Sequence, residues 1–231
     1  FDCIILDEAH HSSASIYQKI MNFFVPKLWL GMTATPDKRD DDIDGRNIYE
    51  IFHYQIAYEI RLQQAMEDNL LCPFHYFGLH DLSVIGDKNK KLLAKDFNSL
   101  VCDERVKHVI EQAEYYGYSG DRVKGLIFCS RIDESVELSK KFNALGYRTV
   151  ALNGDATEEE RSEAFERLAM NEADATEEVQ PLDYIISVDI LNEGVDIVEV
   201  NQIIMLRPTL SPIVFIQQLG RGLRKAEGKE Y

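Results

Sequence analysis

Long apolar runs are missing from this 231-residue sequence. None approaches the roughly 20 residues that a helix needs to cross a bilayer, so a membrane-spanning helix is set aside. A basic n-region and a small-residue cleavage site are missing too, since Phe1 opens directly into the strand-like FDCIILDEAH. Cysteine is sparse. Cys3, Cys72, Cys102 and Cys129 stand far apart, without the paired spacing of a zinc site or the density of a disulfide framework. A reduced, cytoplasmic setting is the expectation. Positive charge is short as well, with 25 Lys and Arg against 40 Asp and Glu, a net charge of −15. Proteins that hold nucleic acid by its phosphates usually carry a basic footprint. Composition therefore argues against such a ligand, and any claim for one must rest on motifs. What remains is ordinary: 45% hydrophobic residues are enough to bury a core, at a length between one domain and two.

Along the chain, strand patterns alternate with helix patterns. Phe1–Leu6 is a nearly continuous apolar run, as in a fully buried parallel strand. Ser12–Phe24 has helical spacing after a serine-rich start that could cap it, and Leu28–Met32 is strand-like again. Asp37–Asp44 reads as a solvated loop, Tyr58–Asn69 as a short helix and Leu71–Leu79 as a strand. A second series follows: helix Glu104–Tyr116, strand Gly125–Cys129, helix Glu134–Leu145, strand Arg148–Leu152 and helix Thr157–Met170. Strands Tyr184–Val188 and Gln202–Leu206 and helix Pro212–Arg224 complete it. The acidic stretch from Asn171 to Pro181 reads as a solvated loop. Such alternation predicts an α/β fold with parallel sheets covered on both faces.

Three clusters carry chemistry. Asp7-Glu8-Ala9-His10 ends the first strand, where open α/β sheets place their ligands. ATP hydrolysis needs an aspartate to hold the magnesium ion and a carboxylate to orient or deprotonate water; Asp7 fits the first role and Glu8 the second. Alone, the tetrapeptide is equally an acidic strand-to-helix turn. Thr33-Ala34-Thr35-Pro36 ends the next strand, and its two hydroxyls could relay the state of the phosphates. Near the far end lies Gln217-Gln218-Leu219-Gly220-Arg221-Gly222-Leu223-Arg224. On a helix, Arg221 and Arg224 would share a face and could grip a γ-phosphate together. A solvated basic helix end is the plainer alternative, but two glycines inside a helix cost about 1 kcal/mol each relative to alanine, which suggests close packing there.

In this order the clusters resemble the superfamily 2 helicases. DEAH looks like motif II and TAT like motif III. Gly125–Arg131 (GLIFCSR) is similar to motif IV, and Leu152–Arg161 to the segment between motifs IV and V. Ser187–Asp196 looks like motif V and Gln217–Arg224 like motif VI. The resemblance implies two RecA-like parallel-sheet lobes that enclose ATP and track along nucleic acid. It also implies catalytic roles for Glu8, Arg221 and Arg224 and Mg2+ on Asp7. Nucleotide contacts are implied for Asp7, His10, Thr33, Thr35, Gly194, Asp196 and Gln217. Glu193 before Gly194, the QQLGRGLR form of motif VI and DKRDD after TATP look like DNA-directed members such as restriction-enzyme motor subunits, so DNA is the expected partner ahead of RNA.

One part of the pattern is absent. No Gly-Lys-Ser/Thr loop, the family's phosphate cradle, occurs in the sequence. The resemblance places it upstream of Asp7, so the first lobe is expected to be truncated at its N-terminus and the chain inactive alone. Nuclease or other domains would belong to the full-length protein. The expected division is 1–82 for the first lobe's remnant, 83–102 for a linker and 103–231 for the second lobe. An RNA helicase, or a RecA-like binding module that never hydrolyses ATP, stands as the alternative function. His11, His53, His75, His80 and His108 show no metal-ligand spacing, and Tyr115, Tyr116 and Tyr118 read as packing residues before base-stacking ones.

Overall fold

The computed structural model describes residues 1–36, 47–79, 97–188, 197–207 and 212–230. Its contacts divide the chain into two units, Phe1–Arg61 and Leu62–Tyr231, each with its own parallel sheet.

In the first unit β1 (Cys3–Leu6) and β2 (Leu28–Gly31) run parallel, with Leu6 opposite Gly31. A 3-10 turn at Ala9–Ser13 and helix α1 (Ser15–Phe23) form the crossover. No serine side chain caps α1. The helix starts after Ala14, whose N–H donates to His11 O, while Gln18 Nε2 donates to Ser12 O. The expected full burial of β1 is also not found: Leu6 is buried, but Ile5 is 57% exposed. Among the described residues the sheet has only two strands, too few to cover both faces of either. Helix α2 (Ile48–Ile51) delivers Phe52, whose ring lies so close to Gly31 that a Cβ there would meet it at 2.5 Å. Glycine at this strand end leaves room for the ring.

The second unit opens with α3 (Leu62–Glu67), α4 (Phe97–Leu100) and α5 (Asp103–Tyr116). Then follow β3 (Gly125–Phe128), α6 (Ile132–Ala144), β4 (Thr149–Leu152) and α7 (Glu158–Ala169). Strands β5 (Tyr184–Ser187) and β6 (Gln202–Met205) and helix α8 (Pro212–Gly220) complete it. The four strands are all parallel, in the order β4-β5-β3-β6. Side chains alternate across this sheet as strand geometry requires. Leu126, Phe128 and Ile185 join Ala164 and Leu168 of α7 in one core. Ile127, Tyr184 and Ile186 join Val106 of α5 and Leu138 and Phe142 of α6 in the other. Helices on both faces explain why β3 and β5 read as unbroken apolar runs. The start of α7 is fixed by a reciprocal capping box between Thr157 and Glu160.

Two expectations change. The contacts divide the chain at Arg61, earlier than residue 82; Leu100 and Val101, expected in a linker, lie buried in the second unit. Residues 83–96 of that linker, and the loop 37–46, lie outside the described residues. Leu71–Leu79 forms no strand. Aromatic contacts hold it instead: Tyr76 meets Phe215 edge-on at 5.8 Å and Phe77 stacks on Tyr116 at 3.9 Å. The acidic stretch after Asn171 is exposed, as expected of a solvated loop, and Glu172 in it pairs with Arg148.

Candidate functional site

In the first unit, the parallel register brings the carboxyl ends of β1 and β2 side by side. Two backbone bonds of 2.8 Å stitch the loops that leave them, Met32 N to Leu6 O and Ala9 N to Met32 O. Glu8 and His10 are thereby brought to Thr33 and Thr35. His10 Nδ1 lies 3.0 Å from Thr33 Oγ1 and 3.3 Å from Glu8 Oε2, and Thr33 Oγ1 accepts the Thr35 N–H at 3.1 Å. A carboxylate can only accept, so a proton on Nδ1 is the arrangement that serves both Glu8 and Thr33. One chain of polar contacts thus runs from the acidic turn to the TAT turn. The hydroxyl of Thr35, 3% exposed, has no partner among the described residues.

Glu8 occupies the left-handed region, φ 47° and ψ 47°, which costs a non-glycine residue about 1–2 kcal/mol. Its N–H donates to Asp7 Oδ1 at 2.9 Å. That bond leaves Asp7, an exposed residue, with its second oxygen turned to nothing among the described residues. No group of three or more metal-ligating side chains occurs among the described residues. A lone exposed carboxylate fits magnesium, which keeps several waters and takes one or two carboxylates plus phosphate oxygens.

In the second unit, α8 stops at Gly220, so Arg221 and Arg224 do not stand on a helix face. They lie on a turn wound by successive i→i−3 bonds: Arg221 N to Gln218 O, Gly222 N to Leu219 O and Leu223 N to Gly220 O. Glycines at 220 and 222 disfavour further α-helix, and the tighter 3-10 winding takes over. Only Gly222 packs closely, against Ile203 of its own sheet at 2.9 Å from where a Cβ would stand; a Cβ at Gly220 would meet nothing. Gln217 is half-exposed, whereas its neighbour Gln218 is fully buried. Gly194 and Asp196 lie outside the described residues.

Two residues that the motifs do not flag hold this turn. Cys72 N donates to Leu223 O at 2.7 Å, and Lys229 Nζ donates to Gly222 O at 2.6 Å and to Arg224 O at 2.9 Å. Burial pushes the Lys229 ammonium below the usual lysine value. Neither residue announces itself, because backbone acceptors leave no trace in residue spacing.

The sequence profile described as the helicase conserved C-terminal domain matches residues 104–226. That described as the type III restriction enzyme, res subunit, matches residues 1–38. A 51.5 kDa protein of Lactococcus phage (isolate 7-9) is 26% identical over 225 residues, covering 96% of this chain and 46% of that protein. The candidate ATP-dependent helicase IRC3 of Saccharomyces cerevisiae is 24% identical over 240 residues, covering 99% of this chain and 32% of its own length. The chain thus spans less than half the length of these relatives. Among solved structures, a fragment of a candidate HsdR subunit of a type I restriction enzyme from Vibrio vulnificus YJ016 aligns with all of this chain and 42% of its own, at TM-score 0.68 and 21% identity. The type ISP restriction-modification enzyme LlaBIII, solved bound to DNA, aligns with all of this chain and 18% of its own, at TM-score 0.63 and 19% identity. Likeness at such identity establishes the fold, two RecA-like parallel-sheet units.

Proposed function

We propose, because the chain belongs to the helicase conserved C-terminal domain family of superfamily 2, that it is the motor core of an ATP-dependent DNA helicase or translocase. The observation that carries this reading is the chain of contacts from Glu8 through His10 to Thr33 and Thr35 at the carboxyl ends of two parallel strands. A plain acidic turn has no need to bind the next strand's hydroxyls.

The roles proposed are those the helicase resemblance implies, and the contacts of the acidic turn support the ones given to Glu8 and His10. When bound, a magnesium ion would supply charge neutralisation for phosphoryl transfer. Asp7, exposed at the strand end, would hold it. Glu8 orients the attacking water and takes its proton. His10 steadies the Glu8 carboxylate and passes its position to Thr33. Arg221 and Arg224 neutralise the charge that develops on the γ-phosphate, and Gln217, Gly194 and Asp196 complete the nucleotide contacts. DNA is favoured over RNA by Glu193 before Gly194, by the QQLGRGLR run and by the restriction-enzyme profile over residues 1–38.

The sequence holds no Gly-Lys-Ser/Thr loop and a net charge of −15, so the 231-residue chain by itself is expected to show no polymer-stimulated hydrolysis. The test is phosphate release from the full-length protein with DNA or RNA added. Stimulation by DNA well above that by RNA supports the proposal. Stimulation by RNA alone would replace it with an RNA helicase, and no hydrolysis with either would leave a binding module.

A further inference from the structure

We infer that Lys229 is a positioning residue for the arginine turn, setting Arg221 and Arg224 for hydrolysis through the backbone that carries them. The inference rests on the function proposed for those two arginines.

The need for such a residue comes from how α8 ends. A helix leaves its last carbonyls without internal partners, and they must be met from elsewhere. Here the turn satisfies its own N–H groups through the three i→i−3 bonds, but the carbonyls of Gly222, Leu223 and Arg224 point away from it. Each finds a donor outside the turn. Leu223 O takes the Cys72 N–H, and the flanking two share one ammonium, Lys229 Nζ. A lysine presents three donors on a single nitrogen, so it can bridge carbonyls two residues apart. The bonds tie the peptide that follows Gly222 to the one that follows Arg224, so the backbone between the two arginines is held at one point.

Lys229 is itself anchored. Its N–H donates to Ala226 O at 3.2 Å, and Gly228 at φ +76° turns the chain there. Glu230 N then donates to Ser119 Oγ at 3.2 Å, tying the return to the loop before β3. Lys225 Nζ, which directly follows the arginine turn, donates to Asn69 Oδ1 at 2.6 Å. The ammonium is thus placed by the return of the chain and its tie to Ser119, and the arginine turn by the ammonium. Burying a cation is costly, and the two charge-assisted bonds to carbonyls offset that cost. An apolar side chain of the same length would fill the space without the penalty, so space-filling alone does not account for a lysine here. Orientation does. Groups that stabilise a transition state must be held to about 0.5 Å, and a misplacement of about 1 Å can cost about 100-fold in rate.

The experiment is steady-state ATP hydrolysis by the full-length protein carrying Lys229→Met, Lys229→Arg or Arg221→Ala, alongside amide exchange of the peptide spanning 219–225. Lys229→Met keeps length and burial while removing the donors. It should lower kcat about 10- to 100-fold, leave KM for ATP within about threefold and raise exchange at amides 221–223 but not in β3 or β5. Lys229→Arg, which can still reach two carbonyls, should restore most of kcat. An unchanged kcat in Lys229→Met, beside a lost one in Arg221→Ala, would overturn the positioning role alone. A kcat that falls only in step with the folded fraction, or with loss of protection throughout the sheet, would overturn it in favour of a structural role. An unchanged kcat in Arg221→Ala would instead sink the proposed function of the arginines.

Discussion

The two units carry comparable polar turns on very different foundations. In the second, Leu126, Ile127, Phe128, Ile185 and Ile186 are at most 1% exposed, between helices on both faces. In the first, Phe1, Phe23 and Val25 are 77% exposed or more, and Leu28 shows 56%. Yet the first unit holds the more tightly connected polar site, with Glu8, His10, Thr33 and Thr35 in one chain of contacts. Precision at a site can come from a few backbone bonds between adjacent strand ends. Stability needs area, and the first unit has little.

The largest effect that would sharpen this contrast lies in the second unit. Arg105, 1% exposed, pairs with Glu134 at 3.2 Å and donates to Leu206 O, while Glu134 accepts the Ser130 N–H at 3.0 Å. Glu134→Ala removes the carboxylate that neutralises a buried guanidinium and should cost about 3–5 kcal/mol of second-unit stability in a urea titration. Asp2→Ala breaks only the exposed Lys27–Asp2 pair and should cost under about 1 kcal/mol. Equal losses would break the comparison.

Next comes the order of unfolding. Trp29, the sole tryptophan, lies in β2, so its fluorescence reports the first unit, whereas far-UV circular dichroism is dominated by the second. The Trp29 transition should come at lower urea than the dichroism transition, which also means that the chain is not two-state. Coincident transitions would show that the first unit is no weaker than the second.

A smaller effect concerns strain. Glu8→Gly removes the left-handed penalty and should raise the Trp29 midpoint by an amount worth about 1 kcal/mol, although the Glu8–His10 contact is lost. A lowered midpoint would mean that the contact outweighs the strain.

The smallest is electrostatic. The bond to Arg148 holds the Glu172 carboxyl below the usual glutamate value. Its contribution is present at and above the unfolded value of about 4.3 and fades as pH falls through the lower folded one. Glu172→Gln should therefore lower second-unit Tm slightly at neutral pH, with the difference from the parent closing in acid. A difference that persisted at pH 2 would point to packing instead.

How much of this was legible varies with the kind of force involved. The β3 and β5 runs are local patterns, and they fold as read. The acidic turn and TAT fall at strand ends as their motifs suggest, but the left-handed Glu8 and the His10–Thr33 bond come from tertiary register, which spacing does not encode. Full burial of β1 failed because an apolar run states what a strand prefers, not what is available to cover it. The α8 end was misplaced because apolar periodicity continued past Gly220, while two glycines tipped the balance to a tighter turn. Lys229 and Cys72 were invisible for the same reason as the His10 bond: they act on backbone atoms far away in sequence.

The central claim is that the acidic turn of the weaker unit runs the chemistry. Its most direct test is DNA-stimulated phosphate release by the full-length protein and its Glu8→Gln variant, with ATP binding measured in parallel. The account predicts that turnover falls by about 10²–10⁴-fold while ATP affinity stays within a few-fold. A variant that hydrolyses ATP at near the parent rate would contradict it.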